Sequence, residues 1–271
     1  MGPAVARLCQ LWDEVTDDFL NGRPTNVRPP LHTYFNSYRK FADVQLEGFC
    51  EPFLGCLDRK PKMAFLSLNP GAVQPAWQDL NWDGRGGIFV NEIRQAGSYS
   101  RWAREWSYLK APWQSYIAAR GGVNHHLARL RFMKAWYEDQ GLTAQDRVDF
   151  ELYPWHSKKF DGRALRLDDA LLREFVWDPL CEIEAPLVFA FGRWWWDNLK
   201  NLDLDLIAQF GDGTARPIDL GYKAAAKQGI VIARAAHGGL VIAEKHSGPP
   251  PGPPALTKVS IFRQLIKDAV G

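Results

Sequence analysis

The stretch "KMAFLSLNPG", residues 62–71, carries the first clear strand signal in the chain. Met63, Ala64, Phe65 and Leu66 form a short continuous apolar run that stops at the turn residues Asn69, Pro70 and Gly71. A run of that length bounded by Pro and Gly reads as a strand buried on both faces, as in a parallel sheet, with its loop at the carboxyl end. "RVDFELYP" (147–154) and "APLVFAFG" (185–192) repeat the form, and "GIVIARAAHGGLVIAEKHSG" (229–248) offers one or two more strands around His237-Gly238-Gly239.

Between these runs the period changes to that of helices. Val5, Leu8, Leu11, Trp12, Val15 and Phe19 predict an amphipathic helix over 4–20, ended by "NGRPTNVRPP". Further helices are predicted over 125–139, over 168–183 with a break at Pro179, from "RWWWDNL" (193–199), and over 257–270. Strands alternating with helices predict an α/β fold: one domain over 1–271, with a mostly parallel central sheet flanked by helices on both faces. Residues 1–60 read as an N-terminal helical arm. Residues 72–134 read as an insertion rich in Gly, Trp and Arg, with no clear period before residue 125.

The 271 residues are 46% hydrophobic, enough for a sizeable core. A formal charge of only +2 excludes a globally basic nucleic-acid coat, so any electrostatic footprint is local. Residues 91–134 hold such a footprint, with eight Lys or Arg, Arg101 and Arg104 among them, against two acids. Tyr99, Trp102, Trp106, Tyr108, Trp113 and Tyr116 are interleaved with these charges, a mixture that suits a backbone-tracking surface on which bases stack. The plain alternative is a solvated helical face whose aromatics are core.

Cys9, Cys50, Cys56 and Cys181 include no C-x-x-C pair and no zinc-finger spacing, so they read as buried free thiols and no metal is expected. No apolar span reaches membrane length and no leader-like apolar segment opens the chain, which predicts a cytoplasmic protein without a membrane partner.

Three strand ends gather chemistry-bearing residues: Asn69-Pro70-Gly71, Glu151-Leu152-Tyr153-Pro154, and His246-Ser247-Gly248-Pro249. Each alone has an ordinary reading as a turn, a packed strand end or a linker. Together and in this order they resemble the uracil-DNA glycosylase superfamily, most closely its single-strand-selective uracil glycosylases, over roughly residues 61–265. "VFAFGRWW" resembles the family's strand ending in glycine between its second and third motifs.

The resemblance implies a monofunctional DNA glycosylase that needs no cofactor, has DNA as its partner, modified and double-stranded by preference, and requires no obligatory protein partner. Asn69 would orient the attacking water, and His246 would donate to the departing base at a pyrimidine O2. Phe89 is the candidate to stack beneath the flipped base. Ser247, Gly248 and Pro249 would enter the duplex, and Ser157, Lys158, Arg101 and Arg104 are candidates for DNA contact. No lysine sits within the three motifs, so hydrolysis is expected rather than Schiff-base lyase chemistry.

Glu151 departs from the asparagine with which the uracil enzymes read the base. An ionised carboxylate cannot donate to uracil O4 but can accept from an exocyclic amine, as cytosine requires. Gly71, where some relatives place a bulky aromatic, leaves the C5 side of a base open. Together these departures resemble the bacterial defence glycosylases that remove glucosylated hydroxymethylcytosine from phage DNA. Trp77, Trp82, Arg85, Trp102 and Trp113 would supply sugar-binding platforms. Rival expectations are a uracil or hydroxymethyluracil repair enzyme, a non-catalytic DNA-binding relative, and a module that uses "PPPGPP" (249–254) to bind other proteins.

Overall fold

The buried apolar runs become strands, and the computed structural model, which describes residues 1–211, 214–218, 228–245, 253 and 255–271, sets them among many short helices. In chain order its elements are α1 (Pro3–Leu20), α2 (Leu31–Asn36), β1 (Val44–Gln45), β2 (Phe53–Gly55), β3 (Met63–Ser67), α3 (Pro75–Gln78), α4 (Ile88–Ala96), α5 (Tyr99–Ala103), α6 (Ala111–Ala119) and α7 (His125–Tyr137). Then follow β4 (Arg147–Glu151), β5 (His156–Ser157), α8 (Asp169–Leu172), α9 (Asp178–Glu182), β6 (Leu187–Phe191), α10 (Arg193–Asn198), β7 (Leu204–Gly211), β8 (Gly229–Ala235), β9 (Leu240–Lys245) and α11 (Val259–Val270). Seven strands form one sheet in the order β2-β4-β3-β6-β9-β8-β7, and β1 pairs with β5 in a separate two-stranded ribbon.

The fold is therefore α/β with a mixed sheet. β3, β6 and β9 run parallel, with Ala64 opposite Val188 and Val188 opposite Val241. β9, β8 and β7 are antiparallel. The glycine turn at 237–239 makes β8 and β9 a hairpin, as the sequence predicts. β7, like the short strands β1, β2 and β5, has no counterpart among the predicted strands. It is an edge strand with Asp205, Leu206 and Gln209 exposed and a register shift between Leu206 and Ala208, so it lacks the continuous buried run of β3 and β6.

The chain divides into two compact units, each discontinuous in sequence. The first comprises Met1–Arg59, Ser67–Ser107 and Asp149–Ile183; the second comprises Lys60–Leu66, Tyr108–Val148 and Glu184–Gly271. The predicted boundaries do not follow this division. Residues 1–59 belong wholly to the first unit, where α1 packs on α5 and α9, so the expected arm is part of a core. The expected insertion is split after Ser107.

In the first unit, α1 begins at a cap supplied from afar. The backbone N–H groups of Ala4 and Val5 donate to the two carboxylate oxygens of Glu182 at 2.8 and 2.9 Å, which satisfies two of the four donors a helix start leaves open. Trp12, on the buried face of α1, meets Trp155 and Phe175 edge-on at 6.0 and 6.4 Å. Phe150 points to the face of β4 where Phe53 lies, and the Tyr99 hydroxyl donates to the Phe53 carbonyl at 2.6 Å. The predicted break at Pro179 is displaced: the 168–183 helix is interrupted by a π-turn at Arg173–Trp177, and Pro179 sits in the first turn of α9, where a missing N–H costs nothing.

In the second unit, Met63 and Phe65 of β3, Leu187, Phe189 and Phe191 of β6, and Ile242 of β9 face one way. Phe132, Met133 and Trp136 of α7 and Phe262 and Ile266 of α11 cover that face. Arg129 and Arg147, both buried, bring their guanidinium carbons 5.9 and 5.7 Å from the Phe65 ring centroid.

Candidate functional site

Asn69 follows β3 at its carboxyl end, and the chain after β4 runs beside it. Leu152 N–H donates to Ser67 O at 3.2 Å and Tyr153 N–H to Leu68 O at 2.9 Å. The strand end carrying Glu151 is thereby brought alongside the strand end carrying Asn69. Tyr34 fixes the segment after β4 through a hydrogen bond from its hydroxyl to the Leu152 carbonyl.

The N-P-G loop is fastened to the segment 156–157 at several points. Asn69 Nδ2 donates to Ser157 Oγ at 3.0 Å, and Ser157 N–H returns a bond to Gly71 O at 2.9 Å. His156 Nδ1 lies 3.1 Å from the same carbonyl, which can only accept, so Nδ1 carries the proton. One residue pair further on, Val73 N–H donates to Gln45 Oε1 at 3.0 Å, and Gln45 is the register partner of His156 in the β1–β5 ribbon. Gly71 has φ +86°, a conformation that favours glycine, and a Cβ there would meet nothing within 4 Å. The turn itself thus calls for glycine, and the space beside it is open.

Behind the loop lies a polar group that sequence reasoning did not assign. His156 Nε2 lies 3.1 Å from Glu51 Oε1, with side-chain exposures of 0% and 5%, a close approach without hydrogen-bond alignment. Gln78 Nε2 donates to the same Glu51 oxygen at 2.8 Å, and Gln78 Oε1 accepts from Gln74 N–H at 2.6 Å. The carboxylate beside His156 is Glu51, from "GFCEPFLG" (48–55). The signal was a Glu inside an otherwise apolar run, a residue type rarely buried without a partner.

Glu151, half-buried, ends β4 with its N–H bonded to Pro52 O at 3.0 Å. Its charge is felt by neighbouring phenols. Burial, then Tyr153 and Glu151, hold the Tyr34 hydroxyl well above the ordinary tyrosine pKa; burial and then Glu51, with a smaller share from Glu151, do the same for Tyr99. Both phenols therefore stay protonated and serve as donors. Burial likewise pushes the Cys50 thiol up to about 12 and is the main cause that raises Cys9 to about 11, so neither is a ready nucleophile.

Several expected contacts are corrected. Ser157 is 2% exposed and engaged with Asn69 and Gly71, so it is part of the loop's support and not a surface phosphate contact. Phe89 is 1% exposed, between Trp77 at 5.0 Å and Trp102 at 5.5 Å, so its packing is that of a core residue with no ring face open to a base. Tyr99 and Trp102 on α5, Trp113 on α6, and Trp106 and Tyr108 in the connection between those helices are all buried. Trp77, Trp102 and Trp113 are therefore not sugar platforms. Trp82, 46% exposed, and Arg85, paired with Asp83 at 3.0 Å, remain on the surface.

Of the basic candidates, Arg101 and Lys158 are exposed, while Arg104 pairs with Asp58 at 2.9 Å. His246, Ser247, Gly248 and Pro249, together with the rest of the proline run except Pro253, lie outside the described residues. Among the described residues no group of three or more His, Cys, Asp or Glu side chains could hold a metal ion, and no helix is long and apolar enough to cross a membrane. No protein-family model matches the chain, and no curated protein or solved structure matches it.

Proposed function

We propose that the chain is a DNA glycosylase that hydrolyses the N-glycosidic bond of a flipped cytosine-type base carrying a C5 substituent, with glucosylated hydroxymethylcytosine of phage DNA as its best-fitting substrate. The observation that carries the reading is the state of Asn69. Its amide donor is taken up by Ser157 at 3.0 Å, which leaves Oδ1 as the acceptor available to orient a water.

In this reaction the water oxygen forms a bond to C1′ as the C1′–N1 bond breaks, and the bonding pair leaves with the base. An amide cannot take the water's proton, so Asn69 acts by orientation, and the proton passes to the departing base or to solvent. Negative charge grows on the base oxygens, where His246 is assigned as donor on the resemblance alone. Glu151 accepts from the exocyclic amine of cytosine, and the open space beside Gly71 admits the C5 substituent.

A uracil-type substrate is the second reading. The positive φ of Gly71 accounts for glycine there without any C5 substituent, and the burial of Trp77, Trp102 and Trp113 removes most of the expected sugar platform. Three DNAs separate the readings: unmodified, uracil-containing, and glucosylated. Abasic sites only in the glucosylated DNA support the first, and sites only in the uracil DNA support the second. Duplex binding with all bases intact after prolonged incubation would reject both.

A further inference from the structure

We propose that His156 is a positioning residue for the Asn69 loop, acting through the Gly71 carbonyl and held in place from behind by Glu51. This rests on the glycosylase reading for its consequence in catalysis, but not for its structural content. His156 is fully buried; its Nδ1 lies 3.1 Å from the Gly71 carbonyl and its Nε2 3.1 Å from Glu51 Oε1.

The arrangement is directional. Nδ1 must donate to the carbonyl, so the ring's orientation is fixed by whatever holds Nε2. Glu51 supplies that hold and is itself oriented by Gln78 at 2.8 Å. The line Gln78–Glu51–His156–Gly71 therefore ends on the backbone of the turn that carries Asn69. Its last carbonyl also accepts from Ser157 N–H, and Ser157 Oγ accepts from Asn69. Neighbours pack closely on the ring. Phe49 packs edge-on at 6.3 Å, and a Cβ at Gly48 would come within 3.2 Å of the ring. The ring places one nitrogen 3.1 Å from the Gly71 carbonyl and the other 3.1 Å from Glu51 Oε1, more polar contact than a space-filling ring requires.

Two substitutions divide the ring's functions. In His156→Asn the amide nitrogen replaces Nδ1 and keeps the bond to Gly71 O while losing Glu51. In His156→Gln the longer amide replaces Nε2 and keeps Glu51 while losing Gly71. Single-turnover excision, duplex Kd and backbone hydrogen exchange at Ser157 are measured in both.

The Gln variant is expected to lose about 100-fold in excision rate, the size of a small misplacement of a reacting group, with Kd within about threefold. The Asn variant should lose under about tenfold although its melting temperature falls further, because it takes one polar neighbour from the buried Glu51 carboxylate, which keeps Gln78. Ser157 N–H should exchange faster in the Gln variant and at close to the wild-type rate in the Asn variant.

Excision that falls in both variants in step with melting temperature would overturn the proposal, as would a change confined to Kd. Equal Ser157 exchange in all three proteins would overturn it without reference to any DNA. If the wild type makes no abasic site in any DNA while exchange separates as expected, the glycosylase reading fails and the loop-positioning role stands.

Discussion

Asn69 Nδ2 donates to Ser157 Oγ at 3.0 Å across a sequence separation of 88 residues, and so joins the turn after β3 to the ribbon that follows β4. The bond occupies the amide's donor end, and under the proposed reading Oδ1 is the end that holds a water. Ser157→Ala removes the acceptor at little cost in volume. It should reduce stability by about 1 kcal/mol, the usual worth of one such bond, and slow excision by about tenfold with duplex affinity unchanged. A thermal melt and a single-turnover assay check both, and full excision in this variant would separate Ser157 from Asn69's role.

Glu151→Asn tests the base-reading assignment. An amide can donate where a carboxylate cannot, so the ratio of uracil to cytosine-type excision should rise by about ten- to a hundredfold, the range of one well-placed base contact. Paired rates on the two DNAs give the ratio. An unchanged ratio would return Glu151 to the role of a strand-end carboxylate near Tyr34 and Tyr99.

The tryptophans of the 72–134 region should divide by burial. Trp102, 2% exposed against Phe49 at 5.2 Å and Phe89, should cost about 3–5 kcal/mol on replacement by Ala. Trp82→Ala should cost less than about 0.5 kcal/mol and raise the Kd for glucosylated DNA alone if its exposed indole meets the sugar. Denaturant melts and binding isotherms on the two DNAs decide it.

Asp18 links stability to acid. Its carboxyl is held below the ordinary range first by a hydrogen bond from Arg28 and then by Arg23, whose Nε lies 2.6 Å from Oδ1. A folded-state pKa below the unfolded value of about 3.9 contributes stability that is fully present above that value and is lost as pH falls through the folded one. The stability gap between wild type and Asp18→Asn should therefore be widest at neutral pH and shrink below about pH 4. Urea unfolding at pH 7 and pH 3 measures it, and a constant gap would show that the pair adds nothing.

The strands at 63–67, 147–151, 187–191 and 240–245 were legible because buried runs closed by Pro or Gly leave little choice of structure. β7 was not, since an edge strand with Asp205, Leu206 and Gln209 facing solvent carries no such run. Composition also misled: basic and aromatic residues mixed in 91–134 look alike whether the rings face a ligand or the core, and α4 and α5 turn Phe89 and Trp102 to the core. The meeting of Asn69 with the strand end of Glu151 followed from motif order. The support by Ser157, His156 and Glu51 did not, because hydrogen bonds between distant segments leave no period or spacing to read.

The most direct test of the account is Asn69→Ala on glucosylated duplex DNA, with abasic sites and duplex Kd measured on the same preparations. The account predicts that the wild type forms abasic sites and that the variant's excision falls by at least about 100-fold while Kd stays within about threefold, because the residue orients a water without holding the strand. Wild-type excision retained in the variant would contradict it.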